Sequence, residues 1–154
     1  MYFEDLTFYS YYKKEPFKNV LNVGWLDAAH KYAVKEPHID FIKKLANLVA
    51  KEDSCNAHVN KIRGLHPCNI CGKDVVTETV FGQSILLGAS EIWVPFESGW
   101  YASPSMILHY VFEHHYAPPD QFIDAVSKMD LDVNYCGQDI YDRLCIEQAS
   151  KIKN

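Results

Sequence analysis

A turn that carries two cysteines, Cys68 and Cys71, constrains this sequence more than any other segment. The cysteines are separated by two residues, and Gly72 and Lys73 follow directly. A tight turn of this kind aims two thiolates at one ion, and glycine accepts the positive φ that closes the turn at little cost. A redox dithiol normally opens a helix after a strand, whereas an extended Val-Val-Thr segment follows here. The motif, which we call the knuckle (residues 66–73), therefore predicts one half of a tetrahedral zinc site.

The second pair of ligands is expected from a histidine-rich segment about 40 residues further along the chain. His109 and His114 are five residues apart, so an ideal helix at ~100° per residue would point them about 140° away from each other. They converge if the helix loosens at His114, as zinc fingers with this histidine spacing do. His115 competes for the fourth position, and His66 could contribute a nearby nitrogen. The predicted metal ligands are Cys68, Cys71, His109 and His114, with His115 left open as the alternative to His114.

The ligand count bears on whether such a zinc is structural or catalytic. Four protein ligands leave no position for a water, whereas a hydrolytic zinc keeps one position open near a carboxylate base. Glu113 is the only carboxylate placed directly beside a ligand, and the HExxH helix motif is absent. Residues 67–71 match half of the nucleoside-deaminase signature, but Asn60 stands two residues after His58, where that signature needs an acid. We therefore predict a structural zinc and no catalytic residue.

Acidic charge is concentrated in the second half of the chain. Residues 1–73 carry 11 Lys and Arg against 8 Asp and Glu, and residues 74–154 carry 4 against 12, within a net charge of -5. An acidic half argues against general nucleic-acid binding, which needs a basic surface to neutralise phosphates. It suits a basic protein partner that the field attracts, and the alternative is an acidic face kept for solubility.

The expected location is the cytoplasm. The first five residues are acidic and lack the basic region that opens a signal peptide. No apolar stretch approaches the roughly 18 residues that span a bilayer. Five cysteines, two of them in the knuckle, fit a reduced protein with a metal site better than a disulfide framework.

Hydrophobic periodicity predicts an α+β fold made of one domain over residues 1–154, with a small, mostly antiparallel sheet and three to four helices. Ser103 and Pro104 are predicted to be the N-cap and first residue of the histidine-bearing helix, because serine caps helices and proline suits their first turn. Pro95 is predicted to end its strand or place it at a sheet edge. The predicted helices span 37–51, 103–115, 119–129 and 139–152, and the predicted strands begin at residue 8 or 9 and span 19–26, 56–63, 75–80, 84–87 and 91–96.

Five segments of the chain form a recognisable pattern: YFEDLT at 2–7, NVGWL at 22–26, RG-x-H-x-C-x-x-C at 63–71, G-x-x-EIWV at 88–94 and YASPSMILHYVFEHHYAPPDQFIDAV at 101–126. Together they resemble a family of small uncharacterised bacterial proteins, a domain of unknown function. The resemblance covers most of the chain and implies no activity. It implies that Cys68, Cys71, His109 and His114 belong to the recurring pattern. It also implies glycine after His114, where this chain has His115.

These observations predict a non-enzymatic, zinc-stabilised binding protein that uses an acidic, aromatic-rich surface against a basic protein. Its most concrete form is a bacterial immunity protein that neutralises a toxin. The alternative is a zinc-dependent hydrolase with an open coordination position and Glu113 or another acid as base. A nucleic-acid or regulatory zinc module is disfavoured by the charge of residues 74–154.

Overall fold

The computed structural model describes residues 1–153, in which four helices accompany short strands. The α+β class and the upper helix count predicted from the sequence are confirmed. The helices are α1 (Ile39–Ala50), α2 (Ile107–His114), α3 (Asp120–Lys128) and α4 (Gly137–Ile152). The strands are β1 (Phe8–Tyr9), β2 (Phe17–Asn22), β3 (Cys55–Asn56), β4 (His58–Val59), β5 (Val76–Val80), β6 (Gln83–Leu87), β7 (Glu91–Phe96), β8 (Gly99–Pro104) and β9 (Tyr135–Cys136).

Within residues 1–153, three of the four strand pairings in the main sheet are antiparallel, as predicted, and one is parallel, so the sheet is mixed. Its five strands lie in the order β1-β2-β8-β7-β4, and β2 pairs with β8 in parallel. Parallel neighbours need a long crossover between them. Here the crossover includes α1, the knuckle and the β5-β6 hairpin. The small β3-β9 pair is also parallel.

The histidine-bearing helix α2 begins later than predicted. Ser103 and Pro104 belong to strand β8, and Pro104 lies opposite Glu91 of β7. The Ser103 hydroxyl is buried and donates a hydrogen bond of 2.7 Å to the Val23 carbonyl, so it caps no helix. Strand pairing overrides the local Ser-Pro signal, and the helix starts at Ile107.

Pro95 lies in strand β7 beyond the point where β4 pairs with that strand. The Trp93 amide donates to the Ala57 carbonyl on the β4 side of β7, and alternate residues of a strand point their amides the same way. The pairing with β4 involves only Glu91 and Ile92. Pro95 therefore lies beyond the neighbouring strand, where its missing amide costs no ladder hydrogen bond.

The helices pack around one main apolar cluster that includes residues of α1, α2 and α3 and the inner face of the β5-β6 hairpin. The hairpin closes with Phe81 and Gly82 both at positive φ, 48° and 80°, as a two-residue turn of the primed type requires. This packing brings β5 against α2 and α1 against both α2 and α3. Helix α2 is therefore held in place from two sides, by α1 and by β5.

Within residues 1–153, no helix has the length and apolar character needed to cross a membrane.

Candidate metal centre

The knuckle has the backbone geometry of a metal-binding turn. The Cys68 amide donates to the Lys73 carbonyl at 3.0 Å, and the Gly72 amide donates to the Cys68 carbonyl at 2.9 Å. Gly72 has a φ of 74°, as its place after the second cysteine predicted. The amides of Ile70 and Cys71 both point at the Cys68 sulfur, at 3.4 Å. Amide donors of this kind stabilise negative charge on a sulfur ligand.

Helix α2 ends so that its two histidines face each other. His109 is buried in the first turn, and His114 is the last helical residue. His115 adopts a left-handed φ of 55°, and the amides of His115 and Tyr116 both return to the Tyr110 carbonyl. The His115 amide returns to a carbonyl five residues back, which widens the last turn, and the rings of His109 and His114 come to 4.8 Å between centroids.

The four predicted ligands form one cluster. The Cys68 sulfur lies 3.5 Å from Nε2 of His114, and the Cys71 sulfur lies 3.6 Å from Nε2 of His109. All four ligand atoms fall within 4.8 Å of one another. Zinc bonds of about 2.3 Å to sulfur and about 2.0–2.1 Å to nitrogen, at tetrahedral angles, would separate sulfur from nitrogen by about 3.6 Å. The donor set and its spacing therefore fit a metal ion.

Three other predicted participants lie outside this cluster. His115 is exposed on the far side of the cap, so the structure brings His114 and not His115 to the cysteines. His66 is also exposed, and its amide pairs with the Gly88 carbonyl at 2.8 Å. Glu113 is exposed and is not among the clustered side chains. The cluster thus contains two sulfur and two nitrogen atoms.

The pKa values of the two cysteines are shifted in opposite directions. The hydrogen bond from His109 is the main cause that lowers the pKa of Cys71 to about 6, so this exposed thiol is largely thiolate at neutral pH. Burial raises the pKa of Cys68, while the amides of Cys71 and Ile70 act in the opposite direction. A metal ion would favour the thiolate form of both, because thiolates are the species that bind metals.

Glu78, which the sequence did not single out, completes the centre from strand β5. Its carboxylate lies within hydrogen-bonding distance of Nδ1 of His109, and both side chains are buried, 7% and 4% exposed. With an ion bound, the ring proton would lie on Nδ1, shared with the carboxylate, and the lone pair of Nε2 would face the ion in place of the hydrogen bond to Cys71. The alternation of strand β5 could have indicated this role for Glu78. Val76, Glu78 and Val80 all point inward, and a carboxylate in an inward position needs a partner.

Replacing Glu78 with glutamine is expected to weaken metal affinity about tenfold, because carboxylates behind a ligating histidine orient the ring and raise its basicity. The amide oxygen can still accept the Nδ1 proton, so we expect the fold to persist. Competition with a chromophoric chelator measures the affinity. Glu113→Gln, which changes an exposed neighbour of His114, is the matched control and should leave the affinity unchanged. Equal affinities of the two variants would remove Glu78 from the centre.

His58, the histidine of the partial deaminase signature, has a different role. Its Nδ1 lies 2.6 Å from the Ser90 hydroxyl and its Nε2 lies 2.8 Å from the Val49 carbonyl. Burial lowers its pKa, which favours the neutral ring. Both ring nitrogens are occupied by protein atoms, so His58 ties the end of α1 to the sheet and has no position free for a metal.

A family model described as a domain of unknown function (DUF7919) matches residues 1–127, a range that includes the four clustered residues and Glu78. No curated protein and no solved structure matches the chain. Because the family model covers most of the sequence, the protein belongs to this family of unknown function, DUF7919.

Proposed function

We propose that the centre binds zinc and that this zinc is structural. The observation that carries the proposal is the closure of the cluster, since two sulfurs and two imidazole nitrogens supply a complete tetrahedral set. Soft thiolates with imidazoles favour zinc over the hard ions magnesium and calcium. An ion in this position would join the knuckle, helix α2 and, through Glu78, strand β5.

A cobalt-substitution experiment separates this role from that of a zinc hydrolase. Cobalt(II) placed in the site should give the strong visible absorption of four-coordinate cobalt with thiolate ligands. Added azide should leave the spectrum unchanged, because no coordination position is free. A spectral change that saturates with azide would reveal an open position and overturn the structural assignment in favour of the hydrolase.

The function that accompanies a structural zinc is, in our proposal, non-catalytic binding of a basic protein in the cytoplasm, in the form of an immunity protein against a toxin. The net charge of -8 over residues 74–154 supports it, because opposite charge steers association. Helices α3 and α4 carry exposed acidic residues, such as Asp120, Asp139 and Asp142. Within residues 1–153, these three form no ion pair with a basic residue.

The test of this partner uses the gene neighbourhood. We expect a gene for a basic toxin domain beside the gene for this protein, and we expect co-expression of this protein to restore growth of cells that make the toxin. Asp139→Lys with Asp142→Lys should weaken the purified complex and reduce its salt dependence, whereas Lys35→Glu, at an exposed position outside the acidic helices, should not. The absence of such a gene, or a failure to restore growth, would overturn the proposal.

A further inference from the structure

A cavity lies beside the knuckle, between the N-terminal segment, the start of β7 and helix α2. It measures about 120 Å³, whereas a single water needs only about 10–15 Å³ on a comparable measure. Four aromatic side chains contribute to its walls: Tyr11, Tyr12, Trp25 and Tyr110. The cavity is therefore large enough for a small organic molecule, and aromatic rings form part of its wall.

The carboxylate that lines this cavity, Glu91, has no counter-ion. Glu91 is 3% exposed and accepts hydrogen bonds from the Tyr9 hydroxyl at 3.0 Å, the Asn60 amide at 2.8 Å and the Trp93 indole at 3.1 Å. All three partners are neutral. No lysine, arginine or histidine among residues 1–153 forms an ion pair with it. A carboxylate that is buried without a counter-ion is costly to ionise, and a cation in the cavity would offset that cost.

The hydrogen bonds to Glu91 favour its charged form, and burial opposes it. Burial raises the pKa of the Glu91 carboxyl, and the three donated hydrogen bonds from Asn60, Trp93 and Tyr9 act against that shift. A cation placed in the cavity would act in the same direction as these hydrogen bonds. Oxygen Oε1 accepts one of the three, from Trp93, and so has capacity for a further donor.

Exposed residues line part of the cavity, and one of them, Tyr12, has an uncommon backbone conformation. Tyr12 is 66% exposed and Ile62 is 39% exposed, and both line the cavity. Tyr12 holds a left-handed φ of 61°, which is uncommon for a residue with a bulky side chain. The Tyr11 ring lies beside the Tyr12 ring, 3.9 Å away between centroids and tilted by 40°. Exposed aromatic faces attract cations as well as apolar groups.

We propose that this cavity binds a small organic cation, a primary amine on an apolar body, with Glu91 as the counter-charge and the aromatic rings as walls. The amine donates to Glu91, and the apolar body packs against Trp25 and Tyr12. Residue Asn69, between the two cysteines, also lines the cavity. Ordering of the knuckle by a metal ion therefore shapes one wall of the ligand site.

The test uses three probes of similar shape and different charge: 2-phenylethylamine, 2-phenylethanol and 3-phenylpropionate. Calorimetric titration of the metal-loaded protein should show the amine binding at least tenfold more tightly than the alcohol, with no binding of the carboxylate. Glu91→Gln should abolish the preference for the amine. Equal binding of the amine and the alcohol, or binding of none of the three at millimolar concentration, would overturn the proposal.

A rim variant keeps the test decisive if Glu91→Gln does not fold. Tyr12→Ala changes an exposed side chain, so it should leave the thermal midpoint unchanged and weaken amine binding at least threefold. Phe81→Ala is the matched control, because Phe81 is an exposed aromatic residue at the hairpin tip and does not line the cavity. Equal amine affinity of Tyr12→Ala and Phe81→Ala would place the binding elsewhere and contradict the assignment.

Discussion

Removal of the metal ion with a strong chelator is expected to lower the midpoint of thermal unfolding by about 20 °C or more. A structural zinc contributes on the order of 10 kcal/mol to folding, and in a chain of this length each kcal/mol corresponds to roughly 2–4 °C. Without the ion, the buried Cys68 and His109 lose their common partner inside the core. Differential scanning calorimetry with and without the chelator measures the shift.

The control for this experiment is the return of the metal. Addition of zinc in slight excess over the chelator should restore the original midpoint, which excludes damage by the chelator itself. Stability that does not change in a sample shown to be metal-free would contradict a structural role for the ion.

The second large effect is expected from Cys68→Ser. Serine provides a hard, neutral oxygen where a thiolate is needed, and Cys68 is 1% exposed, so no other side chain can easily replace it. We expect the variant to lose bound metal and more than about 4 kcal/mol of unfolding free energy, a size reserved for losses such as that of a metal site. Urea unfolding and elemental analysis measure the two quantities.

Cys136→Ser is the matched control for this substitution. Cys136 is exposed, lies outside the cluster and occupies the N-cap position of α4, where serine is well suited. The unfolding free energy of the Cys136→Ser variant should stay within about 0.5 kcal/mol of that of the parent protein or rise slightly. If both variants kept their metal and their stability, Cys68 would not be a ligand.

The sequence predicted those parts of the centre whose geometry is set by residues close together in the chain. Cys68, Cys71 and Gly72 form a turn whose geometry follows from six adjacent residues, 68–73. His109 and His114 were predicted to converge through a loosened helix end, and the His115 amide, which returns to the Tyr110 carbonyl five residues back, accompanies that loosening. His114 and His115 are adjacent, so the sequence left both open as the fourth ligand.

The parts that escaped prediction depend on contacts between distant segments. Glu78 meets His109 across 31 residues, and only the inward side of β5 hinted that its carboxylate has a partner. The parallel pairing of β2 with β8 joins residues about 80 apart, and nothing in either strand specifies direction. Ser103 and Pro104 carry a strong local helix signal that pairing with β7 overrides.

Within the proposed function, the account rests on one ion that joins the knuckle to helix α2, and zinc-edge X-ray absorption of the purified protein tests it most directly. The expected result is one zinc per chain, bound by two sulfur atoms at about 2.3 Å and two nitrogen atoms at about 2.0 Å. His109→Ala should remove a nitrogen neighbour or the zinc altogether. A protein purified without a metal, and unable to take up zinc with sulfur neighbours, would contradict the account.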